Sequence, residues 1–235
     1  SYCDRDPAQA IPAGYLRGLD LGGRGLAALA RLHRETRDIG PELSRQTIAL
    51  TEGDTTSRRF LPGFAQPGAV RLFDHIWPEL AEAFVGLGSQ GIDVIVDAGR
   101  LGRDGLPVAL LEIADAIGFV LQSNLKSLAA SRLYLPLLAE QVSTLPADRP
   151  LGLMLVGPDR PYSVREITAQ FGIDCWARIP WDPKPAGVLS HGLTPPRKFN
   201  NSPLLGSYRV AALHLTQRLE RARALRRELL QGGAP

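Results

Sequence analysis

This sequence predicts an α/β fold: a mostly parallel sheet with helices on both faces, in a three-layer α/β/α arrangement. Two observations carry that reading. Short aliphatic runs alternate with stretches of helical period, joined by short connections, which is the signature of right-handed βαβ units. The runs are also apolar without alternation, as strands buried on both faces of a parallel sheet are. With no internal repeat or linker in 235 residues, one domain spanning 1–235 is expected.

The chain is organised around Gly91-Ile92-Asp93-Val94-Ile95-Val96-Asp97-Ala98-Gly99-Arg100-Leu101-Gly102. Its β-branched run predicts a buried strand ending in Asp97. Ligands of open α/β sheets sit at the carboxyl ends of strands, so Asp97 falls where a ligand is expected. A carboxylate there can hold Mg2+, because hard cations take hard oxygens. It can equally cap a helix or start a turn. The stretch alone leaves both readings open.

Taken in order, the chain opens on Ser1-Tyr2-Cys3-Asp4-Arg5-Asp6-Pro7, which reads as the end of a strand. Asp4 and Asp6 project to one side of an extended chain. Two carboxylates that close are unfavourable unless a cation lies between them. Residues 19–36 pass from a glycine loop into an amphipathic helix through Leu26, Leu29 and Leu32, with His33 expected on its surface. Gly22-Gly23-Arg24-Gly25 lacks the Gly-Lys-Ser/Thr ending of a phosphate loop and reads as a connector. Strand candidates follow at Thr47–Leu50 and Arg59–Leu61. A helix from Pro67 to Val85 carries Val70, Phe73, Trp77, Leu80 and Phe84 on one stripe, with Trp77 in the core.

Beyond the central strand, the pattern alternates from helix Leu106–Asp115 to strand Ala116–Gln122, then helix Leu125–Thr144 to strand Leu151–Val156. Ser163 with Glu166 forms a capping box for a short helix that Gly172 stops. Strand Ile173–Ile179 ends in Pro180-Trp181-Asp182-Pro183. Residues 204–231 read as one basic helix with Leu213, Leu219, Ala222, Leu225 and Leu229 roughly along one face.

Composition bounds the rest. Two cysteines, Cys3 and Cys175, are too few and scattered for a disulfide scaffold or zinc site, which predicts a reducing, cytoplasmic setting. No apolar run reaches the 18 or more residues of a membrane span. Residues 197–235 hold eight Lys/Arg against two Glu, a balance of +6, whereas 1–196 balance at −3. The basic character belongs to the tail.

In this order and spacing the pieces resemble the ParA/MinD family of deviant P-loop ATPases. Asp4-Arg5-Asp6-Pro7-Ala8-Gln9 is similar to that family's Asp-x-Asp-Pro-x-Gln motif. Asp93-Val94-Ile95-Val96-Asp97 resembles its Walker B strand, and Ala98-Gly99-Arg100-Leu101 its switch II loop. Ile179-Pro180-Trp181-Asp182 resembles the Leu-Pro-x-Asp segment near the nucleotide base. Bacterial pilus-assembly and chromosome-partitioning ATPases are especially similar.

The resemblance implies ATP and Mg2+ as cofactors and a role for each matching residue. Asp6 would orient the attacking water, with Asp4 beside it near the Mg2+ shell. Asp97 would hold Mg2+ through water, and Gly99 would let switch II approach the γ-phosphate. Pro180 and Asp182 would line the adenine pocket. One departure stands out: the family's Lys-Gly-Gly-x-Gly-Lys-Thr loop occurs nowhere in these 235 residues. The first strand and phosphate loop are therefore expected upstream of Ser1; the alternative is a member that has lost catalysis.

The expected function is that of an ATP hydrolase and dimeric switch that positions DNA or a cellular apparatus, with a partner protein. The alternative is an inactive scaffold or adaptor on the same fold. The tail's Arg218, Arg221, Arg223, Arg226 and Arg227 suit DNA phosphates or an anionic membrane, placing the protein at the nucleoid or inner membrane face. A docked helix with a solvated arginine face is the plainer reading of the same residues.

Overall fold

The computed structural model describes residues 2–4, 23–36, 38–50, 58–63, 73–102, 105–146 and 148–232, with backbone alone at 2–4 and 225–232. It divides into two compact units, Ser1–Ile113 and Ala114–Pro235.

The first unit carries β1 (Tyr2–Asp4), α1 (Leu26–Thr36), α2 (Gly40–Leu43), β2 (Ile48–Ala49), β3 (Arg59–Leu61), α3 (Trp77–Ser89), β4 (Ile95–Asp97) and α4 (Val108–Ile113). Its strands form one sheet in the order β2-β3-β1-β4. β1 runs parallel to both β3 and β4, and β2 is antiparallel. The apolar stripes of α1 and α3 close over this sheet, burying Leu26, Leu29, Phe73, Trp77, Leu80 and Phe84 in one cluster. Side chains of this size each contribute about 1.5–3 kcal/mol when fully buried. Gly25 joins α1 to the sheet: at φ 108° a Cβ there would collide with Pro62, whose carbonyl accepts the Leu26 N–H at 2.9 Å.

Three sequence expectations change here. Of the helix expected over Pro67–Val85, residues 67–72 lie outside the described residues; 73–76 are turn and α3 starts at Trp77, because Pro78 cannot sit in a helix interior and fits the first turn instead. Phe73 stays in the core, edge-on to Trp77 at 4.7 Å. His33 is buried rather than on the surface, with Nε2 2.7 Å from Glu79 Oε1. Thirdly, β4 is shorter than its β-branched run and is not buried on both faces. It lies at the end of the sheet order, paired with β1 on one side, and Ile95 is 66% exposed.

The second unit carries β5 (Ile117–Gln122), α5 (Leu125–Ser143), β6 (Leu151–Val156), α6 (Val164–Phe171), β7 (Cys175–Ile179), α7 (Pro183–His191) and α8 (Pro203–Gly232). β5, β6 and β7 form a parallel sheet in chain order, each joined to the next through a helix, as consecutive βαβ units tend to be. Leu121, Leu153, Leu155, Leu135, Leu138 and Ile167 are buried. Helix α5 starts at Asn124, whose side chain accepts the Ser127 N–H at 2.9 Å.

The capping box of α6 is present as expected. The Ser163 hydroxyl and N–H both donate to Glu166, at 2.6 and 2.8 Å, and Gly172 ends the helix in the left-handed region. These two bonds, the hydroxyl's first, hold the Glu166 carboxyl below the usual glutamate range. A lowered folded-state pKa stabilises above the unfolded pKa, and that stabilisation is lost as pH falls through the folded value. Ser163→Ala is therefore expected to raise the Glu166 midpoint towards the ordinary value and to remove this contribution to α6 above the ordinary glutamate range, where it is fully present, so that the variant and wild type differ less at acid pH. An NMR titration of the Glu166 side chain reads this directly; an unmoved midpoint would mean the box does not form.

Candidate functional site

Each unit presents its candidate residues at the carboxyl ends of its parallel strands, where backbone groups are not consumed by the sheet. In the first unit, β1 and β4 pair in register from Tyr2↔Ile95 to Asp4↔Asp97. Residues 93 positions apart thus become neighbours at one sheet end. Asp97 is exposed, and its Oδ1 accepts the Gly99 N–H at 2.9 Å. Gly99 takes φ 71°, which the tight turn after β4 requires. The turn reading of Asp97 is therefore realised, and it leaves the residue at the sheet end where a cation would bind. Asp6 lies outside the described residues, as does the side chain of Asp4.

Mg2+ is held in nucleotide sites by one or two carboxylates together with phosphates and water, not by an all-protein cage. An exposed carboxylate at a strand end, with a second aspartate as register partner, fits that donor set. Among the described residues no group of three or more His, Cys, Asp or Glu could hold a metal ion by itself. No Gly-Lys-Thr loop of the kind that cradles phosphates occurs in these 235 residues.

In the second unit the three strand ends are laced together. The Ser123 hydroxyl donates to the Gly157 carbonyl, the Gly157 N–H donates to Ile179 O at 2.7 Å, and Tyr162 N–H donates to Ser123 O at 3.4 Å. Pro180 follows β7 directly and is half-buried. Asp182 is the residue before α7, and its side chain caps nothing. Between them stands Trp181, 50% exposed. Sequence reading gave Trp181 and Arg160 no role; the signal was an aromatic next to a strand end, weighed there only as part of a motif.

The tail helix docks on the opposite end of the same sheet. A cleft of about 450 Å3 there is lined by Ala116, Pro150, Cys175, Trp176, His214 and Arg221, among others. Arg218 lies over the Trp176 ring at 5.4 Å, and Arg223 pairs with Asp115 at 2.8 Å. Both contacts help to seat α8. Arg221 makes no hydrogen bond or ion pair among the described residues, and the side chains of Arg226 and Arg227 lie outside them. Burial pushes the Cys175 thiol up, against the opposing pull of Arg178, so it stays protonated and unreactive near neutral pH. No described helix is long and apolar enough to cross a membrane.

No protein-family model matches the chain, and no curated protein matches it by sequence. Solved structures do. The MinD cell division protein of Aquifex aeolicus superposes with a TM-score of 0.63 at 15% identity, over 92% of this chain and 83% of that one. A ParA family ATPase from Chlorobium tepidum TLS gives 0.60 at 15% identity, over 91% and 98%. A putative plasmid partition protein from Borrelia burgdorferi B31, bound to AMPPNP, gives 0.58 at 12% identity, over 92% and 86%.

Proposed function

We propose that this chain, which has the fold of the MinD and ParA ATPases, works as a nucleotide-dependent dimeric switch that positions DNA or a cellular apparatus. The observation that carries the reading is the register pairing of Asp4 with Asp97 at the carboxyl ends of adjacent parallel strands. The AMPPNP bound by the Borrelia protein supports a nucleotide as ligand of the fold. In this reading Asp97 and Asp4 hold Mg2+, Asp6 orients a water, and Gly99 gives the following loop freedom to move. Pro180 and Asp182 line the base pocket. Mg2+ supplies charge neutralisation at the phosphates when bound.

The reading requires a phosphate loop from polypeptide outside these 235 residues. The second reading is a scaffold or adaptor that keeps the fold and the partner contacts without hydrolysis. Intact mass together with ADP binding, with and without Mg2+, separates the two. A mass well above 25.4 kDa with Mg2+-dependent binding is the expected result. A protein of 25.4 kDa that binds no nucleotide would leave the scaffold.

For the tail, the seating of Arg218 and Arg223 leaves Arg221, Arg226 and Arg227 as the residues proposed to contact DNA phosphates or anionic lipid. Such binding weakens steeply with salt.

A further inference from the structure

We infer that the cleft between α8 and the amino end of the β5-β6-β7 sheet binds a small organic anion, an apolar body carrying one carboxylate or phosphate head. All of its lining belongs to the second unit. Its volume of about 450 Å3 is that of a small-molecule site. The floor is apolar, and its backbone is already engaged. Ala116, Pro150 and Trp176 line it; Pro150 has no N–H, and its carbonyl accepts the Ile117 N–H at 2.9 Å. The Cys175 thiol beside them donates to Ala177 O at 3.3 Å. A ligand's body therefore meets hydrocarbon and aromatic surface here.

The rim is polar and cationic, whereas the inner face of a docked helix is ordinarily apolar. His214, Gln217, Arg218 and Arg221 recur at the spacing of one helix face, and all four line the cleft. Arg218 lies over the Trp176 ring at 5.4 Å, and Arg221 makes no hydrogen bond or ion pair among the described residues. The one carboxylate among the lining residues, Asp115, is held by Arg223 at 2.8 Å. The cleft thus sets a guanidinium above an apolar floor, with its own acid already paired. A guanidinium's planar fork matches a carboxylate or a phosphate. A cationic ligand would meet two arginines, and a purely apolar one would leave the Arg221 fork without an acceptor. An anion seated here would also compete for Arg221 with the DNA phosphates or anionic lipid proposed above.

The probes are benzoate and phenyl phosphate, with benzamide as the uncharged body and inorganic phosphate as the head alone. Each is titrated into the full chain, and the Trp176 indole N–H signal is followed in an assigned proton–nitrogen NMR spectrum. Benzoate or phenyl phosphate is expected to shift that signal saturably, while the signal of Trp181, beyond the carboxyl end of β7, stays in place. Arg221→Gln weakens binding about tenfold to a hundredfold, the range of a hydrogen bond to a charged group. Lys184→Gln, in α7 after the carboxyl end of β7, removes the same charge and leaves the affinity within about twofold. Circular dichroism checks that both variants are folded. Whichever anion binds more tightly names the head group. Binding of benzamide or inorganic phosphate as tight as that of the two organic anions would overturn the site. So would an Arg221→Gln variant with undiminished affinity, or an unmoved Trp176 signal with both anions at millimolar concentration.

Discussion

Gly152→Val is expected to unfold the second unit, and Gly152→Ala to destabilise it by about 3 kcal/mol or more. Gly152 is the second residue of β6 and the register partner of Gly118 on β5. A Cβ on Gly152 would fall within the Trp176 ring, so the indole rests directly on the β6 backbone. The ring cannot retreat outward, because Arg218 of α8 covers it at 5.4 Å. Any side chain at 152 must therefore push out Trp176, which is 7% exposed, and with it the seat of the tail helix. Overpacking costs about 1–3 kcal/mol, and uncovering a tryptophan adds to that. Domains have only about 5–15 kcal/mol to lose. Urea denaturation followed by circular dichroism measures the loss, and Gly206→Ala is the control. That glycine lies in α8, where a Cβ meets nothing within 4 Å, so the change should be neutral or stabilising by up to about 1 kcal/mol. Equal stability of Gly152→Ala and wild type would refute this packing.

The Gly152–Trp176 contact marks where sequence reading stops. The strands β5, β6 and β7 and the box at Ser163 and Glu166 were legible because their signals are local: an apolar run, a cap three residues from its partner, a stop glycine. The partner of His33 was not, since Glu79 lies 46 positions away and nothing in the α1 pattern announces a buried acceptor. Nor did the β-branched run at 92–96 reveal that β4, among the described residues, pairs with β1 alone. Hydrophobicity reports that a strand is meant to be covered, and pairing decides whether it is. The tail shows the same division. Its helix, Pro203–Gly232, was legible almost to the residue, but its arginines look alike in sequence. Only the fold distinguishes Arg218, held on an indole, and Arg223, held by Asp115, from Arg221. Family resemblance implied Mg2+ roles for both Asp4 and Asp97, but the register pairing of their strands was not legible, because no periodicity relates residues so far apart.

If the proposed nucleotide reading holds, Asp97→Asn is expected to lower Mg2+-dependent ATP hydrolysis about 100-fold or more while leaving stability nearly unchanged. Two jobs have been assigned to this carboxylate, and the substitution separates them. As a turn residue, Asp97 accepts the Gly99 N–H through Oδ1 at 2.9 Å, and an asparagine oxygen accepts that bond equally well. As a cation ligand it contributes negative charge, which asparagine lacks; Mg2+ gives up its water reluctantly and binds few protein groups. Asp97→Ala removes both functions and should also cost about 1 kcal/mol of stability through the lost hydrogen bond. Mg2+-dependent ADP binding and hydrolysis, measured beside urea denaturation for both variants, complete the comparison. If Asp97→Asn keeps full Mg2+-dependent activity and only Asp97→Ala is impaired, the aspartate is a turn residue alone. The metal reading would then have to move to the register partner at Asp4 or be abandoned. Loss of activity in both, with stability lost only in alanine, places the charge itself at the centre of the chemistry.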